Sequence, residues 1–212
     1  MACELVSWAL TTVAEAKELA GIPAADVSYD DLICRLINST SSFIEKATDR
    51  KLAARDYSKD DLNDREDSWL NGDNTTKLHL KQYPVNSVSY IEVNSSEISE
   101  AAITDYYASA GYMIFNRQGM LYYESGWSMG IQNVRASYNA GYAEGTPERE
   151  ELRELCNALV ALVFKTKDSL GLKSERIGNY SYTKANLKDI QVLFGVDGLF
   201  IINRYRRKWG GK

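Results

Sequence analysis

The sequence predicts an α+β fold: a small helical bundle interrupted by an antiparallel β insertion, either a sheet or a small barrel. Three observations predict it. Apolar residues recur at helical spacing before residue 56. They alternate with period two between residues 76 and 142. A proline-started apolar helix then follows directly. Residues 1–56 and 143–212 are therefore expected to form the helical core, and 57–142 the β-rich insertion.

Residues 11–20 read as a short helix that stops at Gly21-Ile22-Pro23, because glycine accepts the left-handed cap and proline cannot continue the helix. A second helix is expected to start at Ser28, with Ser28 as cap and Asp31 three residues on. Leu32, Ile33, Leu36, Ile37, Phe43, Ile44 and Ala47 then mark its buried face, to about Thr48. Residues 56–74 carry Asp56, Asp60, Asp61, Asp64, Asp67 and Asp73 and read as a solvated loop. An EF-hand is rejected there, since the stretch 60–65 lacks the loop glycine and the terminal glutamate.

From residue 76 the pattern changes. Leu78 and Leu80 alternate with Lys77, His79 and Lys81, and Tyr83-Pro84 breaks that strand. Val85, Val88, Tyr90, Ile91 and Val93 make the next one. Residues 112–115 and 120–123 flank Asn116-Arg117-Gln118-Gly119, a hairpin turn, and Val134, Ala136 and Tyr138 form a last strand. Thr146 caps the following helix, Pro147 takes its first position, and Glu148, Glu150 and Glu151 sit at its positive end. Leu152, Leu155, Cys156, Leu159, Leu162 and Val163 are its expected stripe. A last helix is expected over 197–208, with Leu199, Phe200, Ile202 and Tyr205 partly buried, and a short one over 186–194.

Composition narrows the function. The chain has 212 residues, 44% hydrophobic and 25% charged, which suits one compact domain or one carrying a large insertion. No apolar run approaches the ~20 residues a membrane helix needs. The start, Met1-Ala2-Cys3-Glu4, lacks the features of a signal peptide, so synthesis and use in a cytoplasm are expected. Cys3, Cys34 and Cys156 are odd in number and far apart, and reduced, partly buried thiols are expected. The one histidine, His79, and the absence of ligand-spaced cysteines argue against zinc. No metal, cofactor or catalytic residue is expected. No phosphate loop is present, because residues 126–130 lack the lysine of one. An enzyme reading would have to draw on Asp105, Glu124 and Glu144 as glycosidase acids.

Two surfaces stand out. Tyrosine is abundant, at 14 residues, and concentrates in the β region. That fits strand packing, a protein interface or, as an alternative function, a carbohydrate-binding or glycoside-active face. Trp69 and Trp127, placed in loops, favour an exposed partner surface. Net charge is −4, and five cations follow the last acid, Asp197, so residues 1–203 carry −9. An acidic body is a poor general nucleic-acid binder. Its basic end, Arg204, Tyr205, Arg206, Arg207, Lys208 and Trp209, is expected to touch something the body does not. Removing residues 203–212 is expected to leave the fold intact.

Four segments carry a resemblance, in order: LICRLINSTSSFIEKATDR (32–50), LHLKQYPVNSVSYIEV (78–93), YNAGY (138–142) before the Pro147 helix, and SERIGNYSYT (174–183). Together they resemble the tailed-phage head–tail connector proteins, also called adaptor or head-completion proteins, over most of residues 11–185. The middle region, roughly 57–142, is longer than in compact members. The resemblance implies a virion structural protein, made in the host bacterial cytoplasm, with no enzymatic role. It implies a ring, dodecameric, below the portal protein. The ring would carry a tail or stopper protein and let DNA pass without sequence-specific binding. Ser174, Glu175, Arg176, Ile177, Tyr180 and Tyr182 are the expected ring interface, and the basic end is the expected portal docking site.

Overall fold

A computed structural model of the chain describes residues 2–101, 111–166, 174–177, 180–183 and 198–207. The chain divides into two compact units, residues 1–50 with 144–212, and residues 51–143. The expected short helix over 186–194 lies outside the described residues.

The first unit is helical. Its helices are α1 (Val13–Ala20), α2 (Asp30–Thr48), α4 (Pro147–Thr166) and α5 (Gly198–Tyr205). In α1 the capping box is complete: Thr12 Oγ1 accepts from the Glu15 amide, and the Glu15 carboxylate accepts from the Thr12 amide. Gly21, at φ 75°, closes the helix in the left-handed conformation. Ser28 does not cap α2. Residues Val27–Tyr29 tighten into a 3-10 turn whose cap is Asp26, and the Asp26 carboxylate accepts from the Ser28 amide at 3.0 Å. Tyr29 stands at the start of α2 without a side-chain cap bond.

The buried face of α2 is Ile33, Cys34, Ile37, Thr40, Ser41, Ile44 and Thr48. That stripe is rotated from the expected one. Leu32, Leu36 and Ala47 are half-buried and Phe43 is 55% exposed. The small polar residues Thr40 and Ser41 take central positions, and Ser41 meets Cys156 of α4, which packs on this helix. In α4, Leu152, Leu155 and Cys156 are buried as expected, Leu159 and Leu162 are half-buried, and Val163 is exposed. Helices α1 and α2 both pack against α4, so its covered face is wide and takes in Asn157, Ala158, Val160 and Ala161. In α5, Ile201, Ile202 and Tyr205 are buried, while Phe200, expected to be partly buried, is exposed.

The expectation of reduced thiols fails for two of the three cysteines. Cys3 and Cys34 form a disulfide, and Cys156 is free and buried. The reason is local: the N-terminal segment lies along α2, which brings two residues 31 apart in sequence side by side.

The second unit is β-rich. One sheet has the order β1 (Arg55–Tyr57), β8 (Gly130–Ala140), β4 (Val85–Val93), β5 (Ser96–Glu97), with β2 (Trp69–Gly72) also on β8. A second sheet has the order β3 (Lys77–His79), β7 (Met120–Tyr123), β6 (Tyr112–Phe115). All these pairings are antiparallel. The 56–74 stretch is thus more than a loop. It supplies the end of β1, a short helix α3 (Arg65–Ser68) and β2, because Leu70 enters the core beside Val134. Both sheets contribute to one core: Tyr57, Leu70, Ile91, Val134, Ala136 and Tyr138 from the first, and Leu78, Tyr112 and Leu121 from the second. Trp127, expected on the surface, is fully buried in that core. The turn before β7 is a 3-10 turn over Asn116–Gln118, closed by Gly119 at φ 60°.

Residues 174–183, expected as a polar loop, include β9 (Ser174–Ile177) and β10 (Tyr180–Thr183). They pair antiparallel, with Ile177 opposite Tyr180 and Ser174 opposite Thr183.

Candidate functional site

The most developed polar arrangement in the first unit joins the basic end to two acids and a helix terminus. An α-helix leaves its last carbonyls without internal partners, and a cation there also meets the negative end of the helix dipole. In α2 the cap amides of Asp49 and Arg50 take Lys46 O and Glu45 O, and the segment after α5 takes the last two, Ala47 O and Thr48 O. The Arg207 amide donates to Thr48 O at 2.9 Å, Arg207 Nε to Asp49 O at 2.9 Å, and Arg206 Nε to Ala47 O at 3.4 Å. Arg207 Nε also lies 3.3 Å from the Asp49 carboxylate. In the other direction, an Arg50 guanidinium nitrogen donates to Tyr205 O at 3.1 Å.

Glu151 of α4 holds the segment from the other side. Both its oxygens accept from one Arg204 nitrogen, at 2.8 and 2.9 Å, and the Tyr205 hydroxyl donates to it. Arg204 also sits over the Phe200 ring, 5.5 Å from its centroid. The Arg204 side chain is 53% exposed, so water screens its pairing, which contributes about 0–1 kcal/mol. Tyr205 is different. At 3% exposure it is part of the packing of this unit. Removing residues 203–212 therefore deletes a core residue and the bonds that end α2, and the expectation of an intact fold is withdrawn. Arg206 is exposed, and Lys208 and Trp209 lie outside the described residues.

The expected ring-interface positions Ser174, Glu175, Arg176, Ile177, Tyr180 and Tyr182 all fall on β9 and β10. That pair forms a sheet of its own and joins no other strand among the described residues.

No reaction centre assembles among the described residues. Among the described residues no group of His, Cys, Asp and Glu could hold a metal ion. Cys156 is buried against Ser41, at 3.7 Å, and burial pushes its thiol up to about 12, which leaves no reactive thiolate at neutral pH. Glu144 accepts from Arg149 at 2.8 and 2.9 Å and also pairs with Arg153, so it is an ion-pair partner. Glu124 is exposed, and Asp105 lies outside the described residues. Among the described residues the tyrosines do not make one open aromatic face. Tyr112 and Tyr138 are core residues, Tyr138 stacks on Tyr57 at 4.9 Å, and Tyr123 leans on Trp127.

Sequence reasoning missed the buried charges. Lys17 bonds to Asp30 at 2.7 Å and to two carbonyls. Arg149 bonds to Glu144 and to Ala9 O. Asp67 accepts from Lys51 at 2.6 Å and from Gln82 at 2.8 Å. Lys17 and Asp67 find their ion-pair partners 13 and 16 residues away, and Arg149 adds the distant Ala9 O to a local pair with Glu144, so no local pattern announces the burial of these charges. Among the described residues no helix is long and apolar enough to cross a membrane.

A helical unit and a β-rich unit, each with structural ion pairs of its own, define a chain of the α+β class. Residues 9–207 match the family model described as Head completion protein, and the chain belongs to that family. A similar solved chain comes from the neck of an empty GTA particle computed with C6 symmetry. The likeness has a TM-score of 0.52 at 15% identity and covers 100% of this chain and 97% of that one, and it shows the shared fold. No curated protein matches the chain.

Proposed function

We propose that this chain is a virion structural protein that joins the portal vertex of a phage head to its tail. Its copies form a closed ring that continues the DNA channel and carries a tail or stopper protein. The observation that carries this reading is the family match over residues 9–207, which takes in both units. The neck that holds the similar chain was computed with C6 symmetry, and a ring of twelve fits that symmetry as two sets of six.

The ring uses heterologous, side-to-side contacts, the interface type that closes into rings. Ser174, Glu175, Arg176, Ile177, Tyr180 and Tyr182 belong to that interface. Their support is that β9 and β10 form an isolated pair among the described residues, and a lone two-stranded ribbon is marginal in water without a further partner. The basic end docks on the portal through exposed Arg204, Arg206 and the cations beyond, while Tyr205 and Arg207 anchor the segment to its own helical unit. Net charge −4 fits a channel from which DNA slides freely, since phosphates gain no counterion release there.

The test is negative-stain imaging of the chain mixed with its portal. The expected result is a second ring coaxial with the portal ring. Monomers beside unoccupied portals at micromolar concentrations of both would overturn the proposal.

A further inference from the structure

Residues 2–12 form a strap along one face of α2. Positions 31, 34, 38 and 41 lie on one stripe of that helix, at spacings of three, four and three, and each holds the strap. The Cys3 amide donates to the Asp31 carboxylate at 2.9 Å, and Cys34 carries the disulfide to Cys3. The Asn38 side chain takes both sides of the backbone. Its oxygen accepts from the Val6 amide at 3.1 Å, and its nitrogen donates to Glu4 O at 2.9 Å. The Ser41 hydroxyl accepts from the Leu10 amide at 3.0 Å.

The strap is graded in strength. Leu10 is buried, and its bond to Ser41 is buried too. The Cys3 and Glu4 bonds are exposed, and the Val6 bond is half-buried. A turn with the Ala9 amide on Val6 O separates the two parts. Exposed hydrogen bonds of this kind contribute little net stability against water. The disulfide is therefore what holds the outer half, residues 2–6, in place.

We propose that Cys3 and Cys34 are a redox clasp, closed by a low-molecular-weight disulfide and opened by a thiol, that docks or releases residues 2–6 while the helical unit stays folded. The two cysteines are unequal. Cys3 is partly exposed and Cys34 is 3% exposed. The oxidant consequently reaches Cys3 first. The Cys3 thiolate attacks glutathione disulfide, the glutathione S–S bond breaks, and one glutathione leaves. Cys34 then displaces the second glutathione from the mixed disulfide. The protein loses two protons and two electrons, and one glutathione disulfide becomes two glutathiones. Cys156 takes no part, because it is buried in the unit. In a reducing cytoplasm the clasp is open, and in an oxidising medium it closes.

The experiment uses the full chain, prepared reduced and then exposed to glutathione disulfide. Thiols counted in denaturant should fall from the three cysteines of the chain to one. Hydrogen exchange, read by residue, should show the Cys3 and Val6 amides exchanging on the order of tenfold or more faster in the reduced chain, with Leu10 unchanged. The variant Cys34→Ser should stop at one glutathione adduct on Cys3, whereas Cys3→Ser should take up none. Three thiols remaining after oxidation would overturn the clasp. Equal exchange at Cys3 and Val6 in both states would overturn its control of the strap. An adduct on Cys34 in Cys3→Ser would overturn the order of attack.

Discussion

Tyr112, Tyr138 and Cys156 each keep an acidic hydrogen away from water. Burial pushes the Tyr112 hydroxyl and the Cys156 thiol up to about 12 and raises Tyr138 further. Their unfolded values are 10.0 for the tyrosines and 9.0 for the cysteine. Raised values mean that the folded chain holds protons the unfolded chain releases. The stability they contribute is full below pH 9 and is lost as pH rises from there through about 12. The urea midpoint should therefore fall between about pH 8 and about pH 10.5, and Cys156→Ala should soften that fall. An unchanged slope in Cys156→Ala would assign it to other groups. Glycine sets a second limit. Gly141 sits at φ 114°, and a Cβ there would meet Ala53 O at 2.6 Å. Gly141→Ala should cost about 1–3 kcal/mol, read as a lower urea midpoint at unchanged m. The YNAGY motif was visible in the sequence, but the reason for its glycine was not. The constraint comes from Ala53, nearly ninety residues earlier. The same holds for Lys17, Arg149 and Asp67, whose charges are explained only by partners that folding brings.

Elements were more legible than residues where one face alone is covered. Strand β8 alternates cleanly, with Val134, Ala136, Tyr138 and Ala140 buried, and the period of two named it at once. Helix α4 was found with its cap and its proline, yet its stripe was drawn too narrow, because α1 and α2 grip it from two sides. That difference has a measurable form. Leu155→Ala should cost about 2–5 kcal/mol by leaving a cavity, whereas Leu159→Ala, from a half-buried position, should cost less. Equal losses would mean that the two positions are equally enclosed. In α1, Thr12→Ala removes one side of the capping box and should cost about 1 kcal/mol. The opposite error occurred over 56–74. Acids and asparagines read as loop, but Leu70 alone sufficed to seat β2 against β8, since strand pairing asks only for one inward residue in register. In α2 the leucines and Phe43 drew attention, while the packed centre is Thr40 and Ser41, small residues that let α4 approach.

At the scale of the whole molecule the sequence resemblance and the family match agree, and what they leave to experiment is the docking of the basic end. Up to Arg207 that end is bound to its own unit: Tyr205 is buried, Arg204 pairs with Glu151, and Arg207 closes α2. Two further cations, Lys208 and Lys212, follow in the sequence and lie outside the described residues. Two truncations separate the functions. Removing residues 208–212 should leave circular dichroism and the urea midpoint unchanged and weaken portal co-sedimentation, less so as salt rises, because exposed charges are screened within about a Debye length of ~8 Å at physiological salt. Removing residues 203–212 should lower the urea midpoint as well, since Tyr205 and the closing bonds of α2 go with them. The charge-reversal variant Arg206→Glu keeps Tyr205 and Arg207, gives up one exposed bond to Ala47 O, and should weaken portal binding with only a small fall in the midpoint. Undiminished co-sedimentation of both Arg206→Glu and the chain lacking 208–212 would move the portal contact away from the basic end, and would leave Arg206 and Arg207 with their bonds to the end of α2 as their task.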